Sequence, residues 1–169
     1  MTGGRTNGAA SGVAGNGSSG DVSGPAPLRM LCVDDNALDL ERIERLARRL
    51  DPVPDLITAS DGIAALEWLA DVSGGSDGPD GGGRLPDGVL LDINMPRMDG
   101  HETLAAIRAD ESWKHLFVGM VTTSMRGSDR DRADTLGADA YLVKALTRDG
   151  LASTLDEVRR RRASGPHRA

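Results

Sequence analysis

Apolar positions along the chain follow two different rhythms. Short, mostly apolar runs of four to six residues lie at about 28 to 33, 55 to 59, 88 to 91, 117 to 121 and 140 to 143, as expected for strands. After each run, apolar residues recur at helical spacing amid charge. The first such stretch follows the capping candidates Asp34, Asp35 and Asn36 and shows Leu38, Ile43, Leu46 and Leu50. The second has Ile63, Leu66 and Leu69 and the third Leu104 and Ile107. The fourth runs from Asp129 to Leu136 and stops at Gly137, and the fifth contains Leu151, Leu155 and Val158. Five strand–helix units in series predict an α/β fold, a three-layer sandwich of one parallel sheet covered by helices on both faces. Each right-handed crossover must pack back onto the sheet.

Composition changes this picture at three places. Residues 1–27 hold eight glycines and four serines with almost no large apolar side chain, so they are expected to form a disordered tail. Residues 73–88 carry seven glycines and two prolines and are expected to form a flexible loop at the sheet edge opposite any ligand site. Residues 163–169 read as a C-terminal tail. At 169 residues, 38% hydrophobic and 27% charged, the chain is one soluble domain's worth. Four aromatics (Trp68, Trp113, Phe117, Tyr141) argue against stacking platforms for single-stranded nucleic acid. A lone cysteine, Cys32, excludes an internal disulfide framework and reads as a small buried hydrophobe. No run approaches the roughly 20 apolar residues of a membrane span, and no signal peptide opens the chain, so a cytoplasmic protein is expected. The net charge is −6, yet five arginines fall in the last eleven residues; 14 basic and 25 acidic residues leave Leu28 to Val158 at −11. The run Arg159 to Arg162 reads as a solvated helix end, or else a contact for nucleic acid or an acidic surface. His101, His115 and His167 lack metal-ligand spacing and are expected on the surface or as caps.

Ligands of open α/β sheets bind beyond the carboxyl ends of the strands. That edge collects Asp34 and Asp35 after the first strand, Asp92 after the third, Thr122 and Thr123 after the fourth and Lys144 after the fifth. Each has a bland reading alone: helix caps for Asp34 and Asp35, a turn residue for Asp92, a solvated lysine for Lys144. Their shared position at one end of consecutive strands favours a site. Three carboxylates at one edge repel unless a cation or proton intervenes, and such hard oxygen ligands suit Mg²⁺ or Mn²⁺. The chemistry these residues suit is phosphoryl transfer to a carboxylate. Asp92 would be the nucleophile, the ion would bridge phosphoryl oxygens, and the Thr122 hydroxyl and Lys144 ammonium would hold the rest. Positioning and charge neutralisation supply the rate, with no general base required.

The blocks LCVDDN (31–36), LLDINMPRMDG (90–100), MVTTS (120–124) and GADAYLVK (137–144) resemble, in order, the signatures of the CheY-like receiver domain of two-component response regulators. The spacings fit as well, 30 residues from Asp92 to Thr122 and 22 from Thr122 to Lys144. The resemblance spans about Leu28 to Val158. It implies a flavodoxin-like (βα)5 sandwich with strand order 2-1-3-4-5, a receiver domain over 28–162, and Asp92 as phosphoacceptor. It further implies Asp35 as a direct metal ligand, Asp34 as a ligand through water, the Asn94 backbone carbonyl as another, and Thr122 with Tyr141 as a switch pair. The implied cofactor is Mg²⁺ or Mn²⁺. The implied partners are a histidine kinase or histidine phosphotransfer protein, a downstream protein target, and a second copy docked through the fourth helix, fifth strand and fifth helix. The TTS and PRMDG forms look most like stand-alone receivers, including those paired with phytochrome kinases. With 25 residues after Lys144, no DNA-binding output module is expected, nor catalysis beyond the chain's own phosphorylation and dephosphorylation.

Two positions depart from the family pattern. Ala145 follows Lys144 where the family usually has proline, often after a cis bond; a cis bond to a non-proline costs about 3 kcal/mol. Either a trans bond with a reshaped turn or a strained cis bond is expected. Thr123 stands where the family often has alanine, and its bulk is expected to restrict access to the phosphoryl group. Two rival readings share the fold class: a phosphorylation-independent pseudo-receiver scaffold, and an aspartyl-nucleophile phosphatase. Asn94, two residues after Asp92 where such phosphatases commonly place a second acid, disfavours the latter.

Overall fold

A computed structural model describes residues 27–75, 83–123 and 127–165. The expected N-terminal tail (save Pro27), residues 76–82 of the glycine-rich loop, Ser124 of the third signature block and residues 166–169 lie outside them. The elements alternate throughout: β1 (Arg29–Val33), α1 (Ala37–Ala47), β2 (Asp55–Ala59), α2 (Gly62–Ser73), β3 (Gly88–Asp92), α3 (Gly100–Ala109), β4 (Phe117–Thr122), α4 (Gly127–Thr135), β5 (Ala140–Val143) and α5 (Arg148–Ser164). The strands form one parallel sheet in the order β2-β1-β3-β4-β5.

The period-two alternation of a strand divides the interior into two cores. Leu31, Val33, Val89, Leu91, Val118 and Met120 face one side, where Trp68, Leu69 and Val72 of α2, Leu104 and Ile107 of α3 and Ala133 of α4 cover them. Met30, Cys32, Leu90, Phe117 and Val121 face the other, under Ile43 and Ala47 of α1 and Leu151, Leu155 and Val158 of α5. Both faces of β1 and β3 are buried, which is why these strands read as unbroken apolar runs. Cys32 is buried as expected; burial, with Glu44 and Asp34 nearby, pushes its thiol pKa up to about 12.

Several expectations need correction. Leu38 is 70% exposed, and α1 buries Ile43 and Ala47 instead. In α2 the buried stripe is Ala65, Trp68, Leu69 and Val72, an i, i+3, i+4, i+7 pattern, leaving Ile63 exposed. His101 is buried, not on the surface: its Nε2 lies 3.0 Å from the Asp129 carbonyl oxygen, joining α3 to α4. α5 continues to Ser164, two residues beyond the expected domain end. Within the expected flexible loop, residues 84–87 are tied down. The Arg29 guanidinium, buried against Trp68, donates to the Arg84 carbonyl at 2.9 Å, and the Asp87 carboxylate accepts from the Arg29 amide at 2.8 Å. These contacts sit at the amino ends of the strands, so residues 84–87 lie opposite the predicted site.

α4 begins two residues before the expected Asp129 and ends at Thr135, one residue before the expected Leu136; Gly137 follows with φ 85°, a left-handed conformation that costs glycine nothing. Gly100 is required for a different reason, close approach: its amide donates to the Ile93 carbonyl at 2.9 Å. A Cβ there would lie 2.2 Å from the Asp92 carbonyl oxygen and 2.8 Å from the Ile93 Cα. Gly100→Ala is therefore expected to cost about 2 kcal/mol by forcing backbone apart. Urea unfolding should show a lowered midpoint at unchanged m-value.

Candidate functional site

Asp92 closes β3, the central strand of the sheet. Asp34 follows β1 and is fixed by its amide, which donates to the Ala59 carbonyl at 3.1 Å; Lys144 follows β5, its amide donating to the Thr122 carbonyl at 2.7 Å. The strand alternation then sorts the side chains. Asp34, Asp92 and Lys144 are in step with Cys32, Leu90 and Leu142, on the face covered by α1 and α5. Thr122 and Tyr141 are in step with Met120 on the opposite face.

The Lys144 Nζ lies 2.8 Å from Asp34 Oδ2, 3.0 Å from Asp39 Oδ2 and 3.3 Å from Asp92 Oδ1. Asp34 and Asp92 are each only 3% exposed. Asp35, which is exposed, joins Asp34 and Asp92 in a group whose carboxylate oxygens lie within 4.8 Å of one another. Asp92 Oδ2 is buried and has no hydrogen-bond partner among the described residues. Buried carboxylate oxygens are normally satisfied. An unpartnered one inside a cluster of hard oxygen donors fits a divalent cation. Asn94 is exposed in the loop after β3, and its backbone N–H donates to the Asp92 carboxylate.

The electrostatics follow from this packing. Burial pushes the Asp92 pKa up, and the negative charge of Asp34 adds to the shift; Lys144 and the Asn94 amide pull against it without cancelling it. For Lys144, burial works to lower the pKa, but hydrogen bonds to Asp34 and Asp39 and the charges of Asp92 and Asp34 hold it well above the usual lysine value. The ammonium is therefore a fixed positive charge at neutral pH.

Thr122 is fully buried at the end of β4, and its side chain shares a hydrogen bond with the Tyr141 hydroxyl. The Arg130 guanidinium of α4 lies 5.8 Å from the Tyr141 ring centroid. Burial and Asp129 raise the tyrosine pKa, against the Thr122 hydrogen bond and Arg130. Thr123, next along, is exposed. The Lys144–Ala145 bond is trans, since Asp51–Pro52 is the only cis bond among the described residues. The structure thus brings Asp34, Asp35, Asp92 and Lys144 together on one side and pairs Thr122 with Tyr141 on the other.

Sequence reasoning missed two features. Asp39 reads in the sequence only as an acidic residue in the first turn of a helix; that turn carries it over the strand ends, three residues beyond Asn36. The second is a clasp across the loop after Asp92. Arg97 has a left-handed backbone, φ 69°, and its guanidinium pairs with the buried Asp61, which also caps α2 by accepting from the Ala64 amide at 3.0 Å. An aspartate before a helical stretch was a visible signal for the cap. The arginine partner, 36 residues away, had none.

Similarity to known proteins agrees with this geometry. The family model for the response regulator receiver domain matches residues 30–156. The chain is 35% identical over 142 residues to the probable methanogenesis regulatory protein FilR2 of Methanothrix harundinacea, covering 83% of this chain and 88% of the relative. Among solved structures, the phosphorylated cyanobacterial phytochrome response regulator RcpA superposes with a TM-score of 0.65 at 26% identity, over 79% of this chain and 91% of RcpA. The Mn²⁺-bound form of the response regulator Rcp1 gives 0.63 at 27% identity, over 77% and 91%. No helix among the described residues is long and apolar enough to cross a membrane. With the five-stranded order, the acidic cluster and the match over most of its length, this chain belongs to the CheY-like receiver domains of two-component response regulators.

Proposed function

We propose that this receiver accepts a phosphoryl group on Asp92 from a phosphohistidine and passes the signal on through protein contacts. The observation that carries the reading is the buried Asp92 carboxylate with one oxygen unpartnered, flanked by two further carboxylates and fixed on its other oxygen by Lys144. In the transfer an Asp92 oxygen forms a bond to phosphorus as the P–N bond of the donor breaks, and the bonding pair leaves with the imidazole. Lys144 and the Thr122 hydroxyl hold phosphoryl oxygens as they move from donor to acceptor. Asp34, Asp35, Asp92 and the Asn94 carbonyl would hold Mg²⁺, which would supply neutralisation of phosphoryl charge. An ionised carboxylate needs no base, so catalysis is confined to making and hydrolysing this one acyl phosphate.

The donor is a histidine kinase or histidine phosphotransfer protein. Similarity to the phytochrome response regulators favours a kinase of that class. The readout lies in the Thr122–Tyr141 pair. A phosphoryl group that engages the Thr122 hydroxyl changes the partner of the tyrosine, which packs against Arg130 of α4. The surface of α4, β5 and α5 is then biased between two arrangements, one of which binds a protein target or a second copy.

Intact mass after incubation with phosphoramidate tests the reading. One adduct of about 80 Da is expected, the mass of a phosphoryl group, with Mg²⁺ but not with EDTA, and not in Asp92→Asn. No adduct from phosphoramidate, acetyl phosphate or a kinase would leave the scaffold reading in its place.

The raised Asp92 pKa gives a second expectation. A carboxylate whose folded pKa exceeds its unfolded value favours the fold when protonated, and that contribution is lost as pH rises through the folded value. At pH 7 without divalent cations, Asp92→Asn should therefore melt about 3 °C above wild type. The gain should vanish below pH 3.8, the ordinary aspartate value, where both side chains are neutral. Labelling of wild type should fall off on acidification at a pH above 3.8.

A further inference from the structure

The Lys144 ammonium has three N–H donors and three carboxylate partners, so in the unphosphorylated protein its capacity is filled. Its two shorter contacts, 2.8 and 3.0 Å, go to Asp34 and Asp39; the acceptor Asp92 is the most distant at 3.3 Å. A phosphoryl group on Asp92 brings new anionic oxygens, and at least one N–H must leave a present partner to reach them. Asp34 stands with Asp35 and Asp92 in the group that fits a cation. Asp39 does not belong to that group.

Asp39 is held ready for the lysine. Its Oδ2 also accepts from Asn36 Nδ2 at 3.1 Å; Asn36 caps α1 by accepting from the Leu38 amide at 3.1 Å, and its own amide donates to Asp34 Oδ1 at 2.9 Å. The first turn of a helix favours a negative charge at this place. Little side-chain freedom is left to lose when the pair forms, and both members are mostly shielded, at 14% and 27% side-chain exposure.

We propose that Asp39 is a positioning residue that retains the Lys144 ammonium in the unphosphorylated protein, so that phosphoryl transfer to Asp92 must take the lysine away from it. The proposal deepens the phosphoacceptor reading and rests on it. Asp39 sets how readily the site accepts a phosphoryl group while taking no part in bond making. Its negative charge also opposes the incoming group directly, and the test has to separate the two effects.

The experiment follows adduct formation by intact mass at several phosphoramidate concentrations, with Mg²⁺ confirmed as saturating for each variant by calorimetry. Wild type, Asp39→Asn, Lys144→Ala and the double variant are compared, with melting curves to show that each is folded. Asp39→Asn keeps the shape of the side chain, and Asp39→Ala serves as a second removal of the charge. A charge-assisted contact at a partly exposed site suggests a roughly fivefold faster labelling of both Asp39 variants. In the Lys144→Ala background the same substitution should accelerate labelling much less, by the loss of direct repulsion alone. Labelling at or below the wild-type rate in both Asp39 variants would overturn the proposal alone, leaving Asp92 as acceptor. Equal acceleration with and without Lys144 would also overturn it, because the charge would then act by simple repulsion. If wild type takes up no phosphoryl group from any donor, the acceptor reading fails and the proposal fails with it.

Discussion

The carboxyl edge of this sheet depends on one ammonium group. Asp34 and Asp92 leave adjacent strands nearly fully buried, and charges of like sign cannot be taken out of water side by side without a compensating partner. Lys144 arrives from the far edge strand and contacts both, together with Asp39 from α1, so it ties β1, β3, β5 and α1 at one point. The compensation is incomplete: among the described residues one Asp92 oxygen stays unpartnered, and the Asp92 pKa stays raised. A cluster built for stability alone would have been closed with another donor. What remains is a carboxylate that gains from a bound cation.

The same strand alternation that builds two cores gives the site two sides. Residues in step with Leu90 and Leu142 carry the charges and face α1, whereas those in step with Met120 carry the hydroxyls of Thr122 and Tyr141 and face α4. A group attached to Asp92 at the end of the central strand stands between them. On the proposed reading, chemistry on the charged side would be coupled to packing on the other without any long chain of contacts. α4 suits this arrangement because it is held lightly: Ala133 is its one buried residue among those described, and the His101 contact to the Asp129 carbonyl adds one polar tie. An element with so little buried apolar area sits at the low-stability end of the fold, where switching elements are drawn from.

The legibility of these features in the sequence follows from their range. Strand positions were readable because both faces of β1, β3 and β4 are buried and the apolar runs are continuous. Asp34, Asp92 and Lys144 were readable because strand ends are local features and the topology brings strand ends together. Helix faces were harder. Leu38 and Ile63 lie in the first turns of α1 and α2 and are exposed, so an apolar residue there carries no information about burial. His101 was misjudged because its partner is a backbone carbonyl on another helix, which no pattern of side-chain types reveals. Arg97 pairs with Asp61 from a left-handed backbone that sequence assigns to glycine or asparagine first. In each case the missing information is a distance between elements, and periodicity within an element does not contain it.

The turn after Lys144 shows how a departure from the family pattern is absorbed. With Ala145 in place of proline, the trans bond avoids the cost of a cis non-proline peptide, and the turn must be held by other means. Leu146 is buried in the core beneath α1 and α5, its carbonyl accepts from the Arg42 guanidinium at 3.4 Å, and Thr147 caps α5 by accepting from the Gly150 amide at 3.1 Å. An apolar anchor, a side-chain tie and a helix cap thus follow the lysine within three residues. On its other side Lys144 is fixed by the hydrogen bond its backbone N–H donates to the Thr122 carbonyl. The ammonium is positioned by the strand that precedes it and the anchor that follows, so the proline is dispensable for placing the charge on which the site depends.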